Sequence, residues 1–349
     1  MMPSIRINGR AIGPGQPVYV VAEMSANHRQ SFDHAAALVR AAKDVGADAV
    51  KLQTYTPDTL TIDSDGSAFR IDQAAWAGRT LYDVYSEGAM PWEWQPRLKK
   101  LAEELDLELF STPFDPTAVE FLEGMRVAAH KVASFEIVDL PLLRRIGETG
   151  KPVLLSTGMA SVGEIDEAVR TLRQAGTDQV VLLKCTSAYP APPEEMNLRT
   201  IPSMAETFGL PVGLSDHSFD PAVPAVAVAL GACLLEKHLT LSRADGGPDS
   251  SFSLEPEEFR RVVRSVRTAE KALGEVCFGP SPSEAGSVGF RRSLFLVRDL
   301  REGELFTAEN VRSVRPGQGL APRYLELVVG RRAARDLTGG TPLTWDAVR

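Results

Sequence analysis

The sequence predicts an α/β protein: a (β/α)8 TIM barrel followed by a small, mostly β module. Three observations carry that prediction. From Val18 to about Leu273, eight short apolar runs that read as strands alternate with amphipathic helical stretches. The first run ends in AEMSAN without the GxGxxG that usually follows the first strand of a nucleotide-binding doubly wound sheet, so the barrel is preferred. After Gly274 the text changes to EVCFGPSPSEAGSVG, rich in Pro, Ser and Gly, and then to short alternating segments.

The strand-like runs are, in order, VYVVAEMSAN, AVKLQTY, LELFSTPF, HKVASFEI, VLLSTGMA, VVLLKCTSAYP, PVGLSDHS and CLLEKHLTL. Between them, FDHAAALVRAAKDVGA and SVGEIDEAVRTLRQAG show helical periodicity. The latter opens with a Ser161–Glu164 capping box and closes at Gly176. PEEFRRVVRSVRTAEKALG places Pro256 in a first helical turn and Gly274 at a C-cap. The stretch between Tyr55 and Trp92 has weak periodicity and three aromatics, Trp76, Tyr82 and Tyr85. A connection this long is either a substrate-covering insertion or a docked structural excursion. The expected division is a barrel over 1–274, a linker over 275–289 and a β module over 290–349. Turns are expected at Glu302-Gly303 and Pro316-Gly317 of that module.

Composition narrows the function. The chain has 349 residues and a formal charge of −8. Cys185, Cys233 and Cys277 are widely spaced without a CxxC, which speaks for a reducing cytoplasm and against disulfides or a thiolate zinc site. MMPSIRINGR lacks the apolar core of a signal peptide, and no run approaches the ~20 apolar residues of a membrane helix. Residues 290–349 hold 11 Arg, no Lys and 7 acids, a basic tail on an acidic body. Without a Lys/Arg block, zinc-finger spacing or RNA motif, docking on an acidic surface is the plainer reading than nucleic acid.

The barrel's chemistry is expected at the carboxyl ends of its strands. Lys51, Lys131, Lys184 and Lys237 lie inside strand patterns, although the chain has only nine lysines against 29 arginines. Buried, they need anionic partners, either barrel acids such as Glu23, Glu136 and Glu236 or an anionic substrate at a cationic mouth. Hydroxyls recur at the same level, at Ser111-Thr112, Ser134, Ser156-Thr157, Thr186-Ser187 and Ser215, and such donors suit a phosphate. No GxxxxGK[ST] loop is present. His217 and His238 end two strands, with Ser215 and Glu236 two places earlier on the same faces. They read either as satisfied core residues or as an open metal site whose remaining ligands are substrate and water. His28 is a third candidate, whereas His34 and His130 are expected to pack or face solvent.

In this order and over nearly the whole length, AEMSANH, KLQTY, STPFD, HKVASFE, STGMA, CTSAYP, GLSDHS, EKHLTL, GGPDSSFSLEP and RPGQGL resemble the sialic acid synthase family. These are phosphoenolpyruvate-dependent sugar-condensing enzymes with a barrel and a C-terminal antifreeze-like (SAF) domain of β-clip fold. AEMSANH, TLYDVYSEGAMPWEW and GGPDSSFSLEP are most similar to the pseudaminic acid synthase branch; Met24-Ser25 and Ser250-Ser251 depart from the neuraminate pattern. The resemblance implies condensation of phosphoenolpyruvate with 2,4-diacetamido-2,4,6-trideoxy-L-altrose, with neuraminate or legionaminate synthesis as the alternative. A Schiff-base aldolase and a non-catalytic sugar-binding protein are remoter readings. It implies Glu23, His217 and His238 as catalytic residues, the two histidines holding a divalent ion, Mn²⁺ first and Mg²⁺ or Co²⁺ after it. Phosphoenolpyruvate would be held by Lys51, Thr112, Lys131, Ser134, Ser187 and Ser215, and the sugar by Gln53, Glu136, Tyr189 and Asp249. Phe290 and Arg315 would reach the sugar in the neighbouring subunit of a domain-swapped homodimer.

Overall fold

The apolar runs form strands, each shorter than its run because the chain turns into a loop before the carboxyl end of the run. The computed structural model describes residues 4–72 and 76–349. A hairpin of β1 (Ile5–Ile7) and β2 (Arg10–Ile12) precedes the barrel strands β3 (Tyr19–Glu23), β4 (Ala49–Thr54), β5 (Glu108–Pro113), β6 (His130–Val132), β7 (Val153–Ser156), β8 (Val180–Cys185), β9 (Val212–Asp216) and β10 (Leu234–His238). The barrel is closed and parallel, β10 pairing with both β9 and β3. Its helices are α1 (Phe32–Asp44), α2 (Pro57–Leu60), α3 (Leu81–Gly88), α4 (Gln95–Glu104), α5 (Pro116–Met125), α6 (Leu140–Gly147), α7 (Val162–Ala175), α8 (Thr200–Phe208), α9 (Ala222–Ala229) and α10 (Pro256–Leu273). The Ser161–Glu164 capping box opens α7 and Gly176 closes it, as the sequence predicts.

Alternate residues of each strand serve different cores. Val20, Val50, Leu109, Leu155, Leu182 and Leu235 face the helices. Tyr19, Val21, Phe110, Leu154, Val181 and Leu234 fill the amino-terminal half of the lumen together with Ile5, Ile7 and Ile12 of the hairpin. The hairpin is an element the sequence reading did not anticipate. Its turn is Asn8-Gly9, both with positive φ (46° and 81°), the conformation that two-residue hairpins favour.

The chain divides into two units, Met1–Gly274 and Glu275–Arg349. Within the second, the stretch expected as linker carries a 3-10 segment, Pro282–Phe290. β11 (Ser293–Leu296) pairs antiparallel with β12 (Val311–Val314), and α11 (Leu325–Val328) lies against the same small core of Leu294, Leu296, Phe306, Val328 and Leu343. Gly303 sits at its expected turn with φ 83°. No helix among the described residues is long and apolar enough to cross a membrane.

Candidate active site

Toward the carboxyl ends of the strands, the lumen columns change from apolar to ionic. β3 runs Tyr19, Val21, Glu23; β4 runs Ala49, Lys51, Gln53; β8 runs Val181, Leu183, Cys185; β10 runs Leu234, Glu236, His238. The polar ends line a cavity of about 590 Å³, the size of a small-molecule site. Gly213 lets the columns close below it: a Cβ there would lie 2.6 Å from the Leu234 carbonyl and 2.8 Å from Leu183.

Two carboxylates and two lysines form the floor. Lys51 Nζ lies 2.6 Å from Glu23 Oε2 and 3.8 Å from Glu236 Oε1, and Lys131 Nζ lies 3.5 Å from Glu236 Oε1. Lys51 also donates to Thr112 Oγ1 (3.1 Å), Lys131 to Ser156 Oγ (2.7 Å), and Ser215 Oγ to Glu236 Oε1 (3.2 Å). All four charged groups are buried, a situation tolerated only because each has an opposite partner. Burial pushes the Glu23 carboxyl up to about 7 against the pull of Lys51, and Glu236 adds to the rise. Burial also opposes charge on Glu236, but Lys131 and Lys51 outweigh it and hold that carboxyl below its ordinary range. One of the two carboxyls is thus poised near neutrality and the other is a fixed anion.

Beside the lysines, Ser134, Gly158 and Ser187 converge. Gly158 N–H donates to Ser134 Oγ at 3.1 Å, and a Cβ on Gly158 would run into both serine hydroxyls. Ser187 Oγ contacts Cys185 Sγ at 3.7 Å. Burial pushes the Cys185 thiol up, but hydrogen bonding and charge from His217 outweigh it and bring the thiol down to about 6.

The histidines form the next level, their ring centroids 5.3 Å apart. His217 Nδ1 donates to the Thr186 carbonyl at 3.0 Å, so Nε2 is the nitrogen left for a ligand. Burial opposes charge on this ring, but the Cys185 thiol and the Thr186 carbonyl outweigh it and raise its pKa, so a bound cation has to displace that proton. His238 is held neutral by burial, with His217 and Lys51 adding to the effect, and its buried Nδ1 has no partner. Among the described residues no third His, Cys, Asp or Glu joins them in a metal-ligating group. The pair therefore suits a cation that takes its other ligands from outside the protein. Tyr189 stacks at 4.5 Å from His217 and 4.9 Å from Phe252, and Trp76 lies 6.1 Å from Tyr189. Trp76 also donates Nε1–H to the Pro248 carbonyl at 2.9 Å. The long connection therefore lines the cavity, through Leu60, Arg70, Ile71, Trp76, Val84 and Tyr85. Gln53, Glu136 and Asp249 line it too.

Several expected members lie elsewhere. Lys237 shares the outward face with Asp216 and pairs with it at 2.7 Å, one residue out of phase with Glu236 and His238. Lys184 points out with Leu182, donates to the Cys185 carbonyl at 2.9 Å, and lines a separate cavity beside α8. Neither belongs to the cationic mouth. Ser111 bonds Thr54, and Thr157 bonds the Leu183 carbonyl, so these hydroxyls leave the ring as well. His28 is spent on the Gly88 carbonyl and the Gln30 amide. His130 pairs with Glu123 at 2.9 Å, away from the lumen. Cys185 and Phe252 join the site without having been expected there, and Ser156, Glu236 and Trp76, named only as a strand-end hydroxyl, a barrel acid and an aromatic of the long connection, take definite places in it. For Glu236 the signal was present, two places before His238. Phe290 and Arg315 belong to the second unit, where Arg315 precedes a cis Pro316 at the predicted turn.

Comparison with known proteins adds to this geometry. The NeuB family model matches residues 38–277, and the SAF domain model matches residues 291–349. The chain is 41% identical over 326 residues to the pseudaminic acid synthase of Campylobacter jejuni subsp. jejuni serotype O:23/36, covering 93% of this chain and 95% of that one. It is 37% identical to the N,N'-diacetyllegionaminic acid synthase of Legionella pneumophila, covering 98% of each. The crystal structure of a spore coat polysaccharide biosynthesis protein from Bacillus subtilis superposes with a TM-score of 0.67 at 34% identity, over 99% of both chains.

Proposed function

The chain belongs to the NeuB family and ends in a SAF domain, and from that premise we propose that it is a pseudaminic acid synthase. It is an enzyme of the transferase type that condenses phosphoenolpyruvate with a sugar, as its named relatives are synthases. The proposed sugar is the open-chain aldehyde of 2,4-diacetamido-2,4,6-trideoxy-L-altrose. The observation that favours a diacetamido-trideoxy sugar over N-acetylmannosamine is the apolar wall of Trp76, Tyr189 and Phe252 over the histidines. Two acetamido methyls and a C6 methyl match such a wall, whereas the hydroxymethyl of N-acetylmannosamine loses hydration against it. The wall suits the legionaminate precursor equally, and the pseudaminate relatives tip the balance.

Lys51 and Lys131 would hold the phosphate and carboxylate of phosphoenolpyruvate, with Thr112 and Ser156 bracing them and Ser134 and Ser187 supplying hydroxyl donors; Ser215 would join them by turning its proton from Glu236 to the substrate. His217 and His238 would hold a divalent cation, Mn²⁺ or a Mg²⁺- or Co²⁺-like ion, whose Lewis acidity would polarise the sugar carbonyl. Carbon 3 of phosphoenolpyruvate attacks the aldehyde carbon, and the electron deficiency this leaves at carbon 2 is met by water. The tetrahedral carbon then expels phosphate by C–O cleavage. Glu23, its carboxyl near 7, would take one proton of that water and pass it to the alkoxide formed at the aldehyde oxygen, while the proton left on the carbon 2 hydroxyl departs with the phosphate as the ketone forms. Gln53, Glu136, Tyr189 and Asp249 would place the sugar over the enol, so that two reactants meet as one.

The test is phosphate release from phosphoenolpyruvate with three sugars: the trideoxy-altrose, the legionaminate precursor and N-acetylmannosamine. We expect turnover with the first, lost on EDTA treatment and restored by Mn²⁺. Turnover with N-acetylmannosamine alone would overturn the assignment, and activity in EDTA with borohydride trapping would point to Schiff-base chemistry instead.

A further inference from the structure

The loop after β3 begins with a residue in an uncommon conformation. Ser25 is buried and holds φ at 48°, left-handed backbone that glycine adopts freely and a Cβ disfavours. Its hydroxyl explains why a serine stands there. Ser25 Oγ donates to Asp249 Oδ2 and accepts from Gln53 Nε2 at 2.9 Å. Gln53 Nε2 donates its other hydrogen to Glu23 Oε1 at 3.2 Å, and the Ala26 amide donates to Asp249 Oδ2 at 3.3 Å.

A hydroxyl has one proton, and here Asp249 takes it. Ser25 Oγ can then only accept from Gln53, so the Gln53 amide must turn its NH₂ toward Ser25 and Glu23. That orientation sends Gln53 Oε1 the other way. Asp249 is fixed in the same manner: both of its hydrogen bonds from described residues land on Oδ2, leaving Oδ1 without one. Gln53 and Asp249 both line the cavity. Through one hydroxyl, this side of the cavity becomes a pair of acceptors with no competing donor.

We infer that Ser25 is a positioning residue for the amino sugar. It presets Gln53 Oε1 and Asp249 Oδ1 as acceptors that read the sugar's hydrogen-bond donors, a hydroxyl or an acetamido N–H. Phosphoenolpyruvate, an acceptor-rich anion, is read instead by the lysines and serines below. The inference rests on the reaction proposed above. Without the hydroxyl, Gln53 is free to rotate its amide and present a donor where the sugar needs an acceptor.

Two substitutions separate this role from a structural one. Ser25→Ala removes the hydroxyl and keeps the strained Cβ; Ser25→Gly removes both. Each is expected to raise the sugar KM about tenfold, the loss typical of a hydrogen bond to a charged group, while the phosphoenolpyruvate KM stays within about twofold. Ser25→Gly is expected to melt at or above the wild-type temperature and still show the sugar defect, which a purely structural role would not produce. A wild-type sugar KM in either variant, or equal damage to both KM values, overturns the inference. If the wild type itself turns over no sugar of the panel, the proposed reaction fails first and takes the inference with it.

Discussion

Glu136 shows how far a single residue's surroundings set its charge. Its Oε2 is buried without a partner, and burial pushes the carboxyl up to about 7, with its own backbone amide and Lys131 only partly opposing. In the unfolded chain the group ionises in the ordinary carboxylate range. Between that range and about 7 the folded state therefore binds more protons. Raising the pH across this window costs stability, and the cost, on the order of 3 kcal/mol, is complete above it. Glu136→Gln is accordingly expected to melt above wild type at pH 8, with the difference vanishing near pH 4.5, and to raise the sugar KM. An equal melting difference at both pH values would mean that ionisation is not what the site resists. The same scale shows what was legible in the sequence. Ser215, His217, Glu236 and His238 sit two apart and share the lumen, as strand periodicity requires. The same periodicity excludes Lys184, one residue from Cys185, and Lys237, between Glu236 and His238. Reading lysines by scarcity rather than by phase placed both in the mouth. Cys185 was less visible, because which residues of separate strands meet depends on the register of closure.

At the scale of the element, the connection between β4 and α4 is the informative one. It read as nearly aperiodic, yet it contains α3, whose capping box of Thr80 and Asp83 stands openly in TLYD. What the text could not give is the docking of Trp76, which depends on a backbone carbonyl of a loop more than 170 residues away. Trp76→Ala removes both that hydrogen bond and the apolar wall. The expected result is a sugar KM raised roughly tenfold or more with phosphoenolpyruvate KM little changed, since a buried aromatic contributes a few kcal/mol. Parallel loss of both affinities would show that the connection supports the floor rather than the sugar. The amino-terminal hairpin was missed for a different reason. Its strands are three residues long and its one strong cue, Asn8-Gly9, is easily passed over in so short a stretch.

At the scale of the whole molecule, each unit has its own core. The barrel's alternation was readable because eight repeats of one pattern reinforce each other. The second unit was readable only as short strands and turns. The proposal that Phe290 and Arg315 complete a neighbouring subunit's site has a direct check. A chain ending at Gly274 is expected to fold and to bind phosphoenolpyruvate while losing nearly all sugar turnover. Normal sugar affinity in that truncation would remove Arg315 from the reaction. The hairpin carries one last consequence, for traffic. With Ile5, Ile7 and Ile12 packed into the amino-terminal half of the lumen, the described residues leave the lysines reachable from the carboxyl ends of the strands. Under the proposed reaction, the reactant held by the lysines would have to arrive before the sugar placed above it. The phosphate formed there would then wait for the larger product to clear the exit, an order that product-inhibition patterns test.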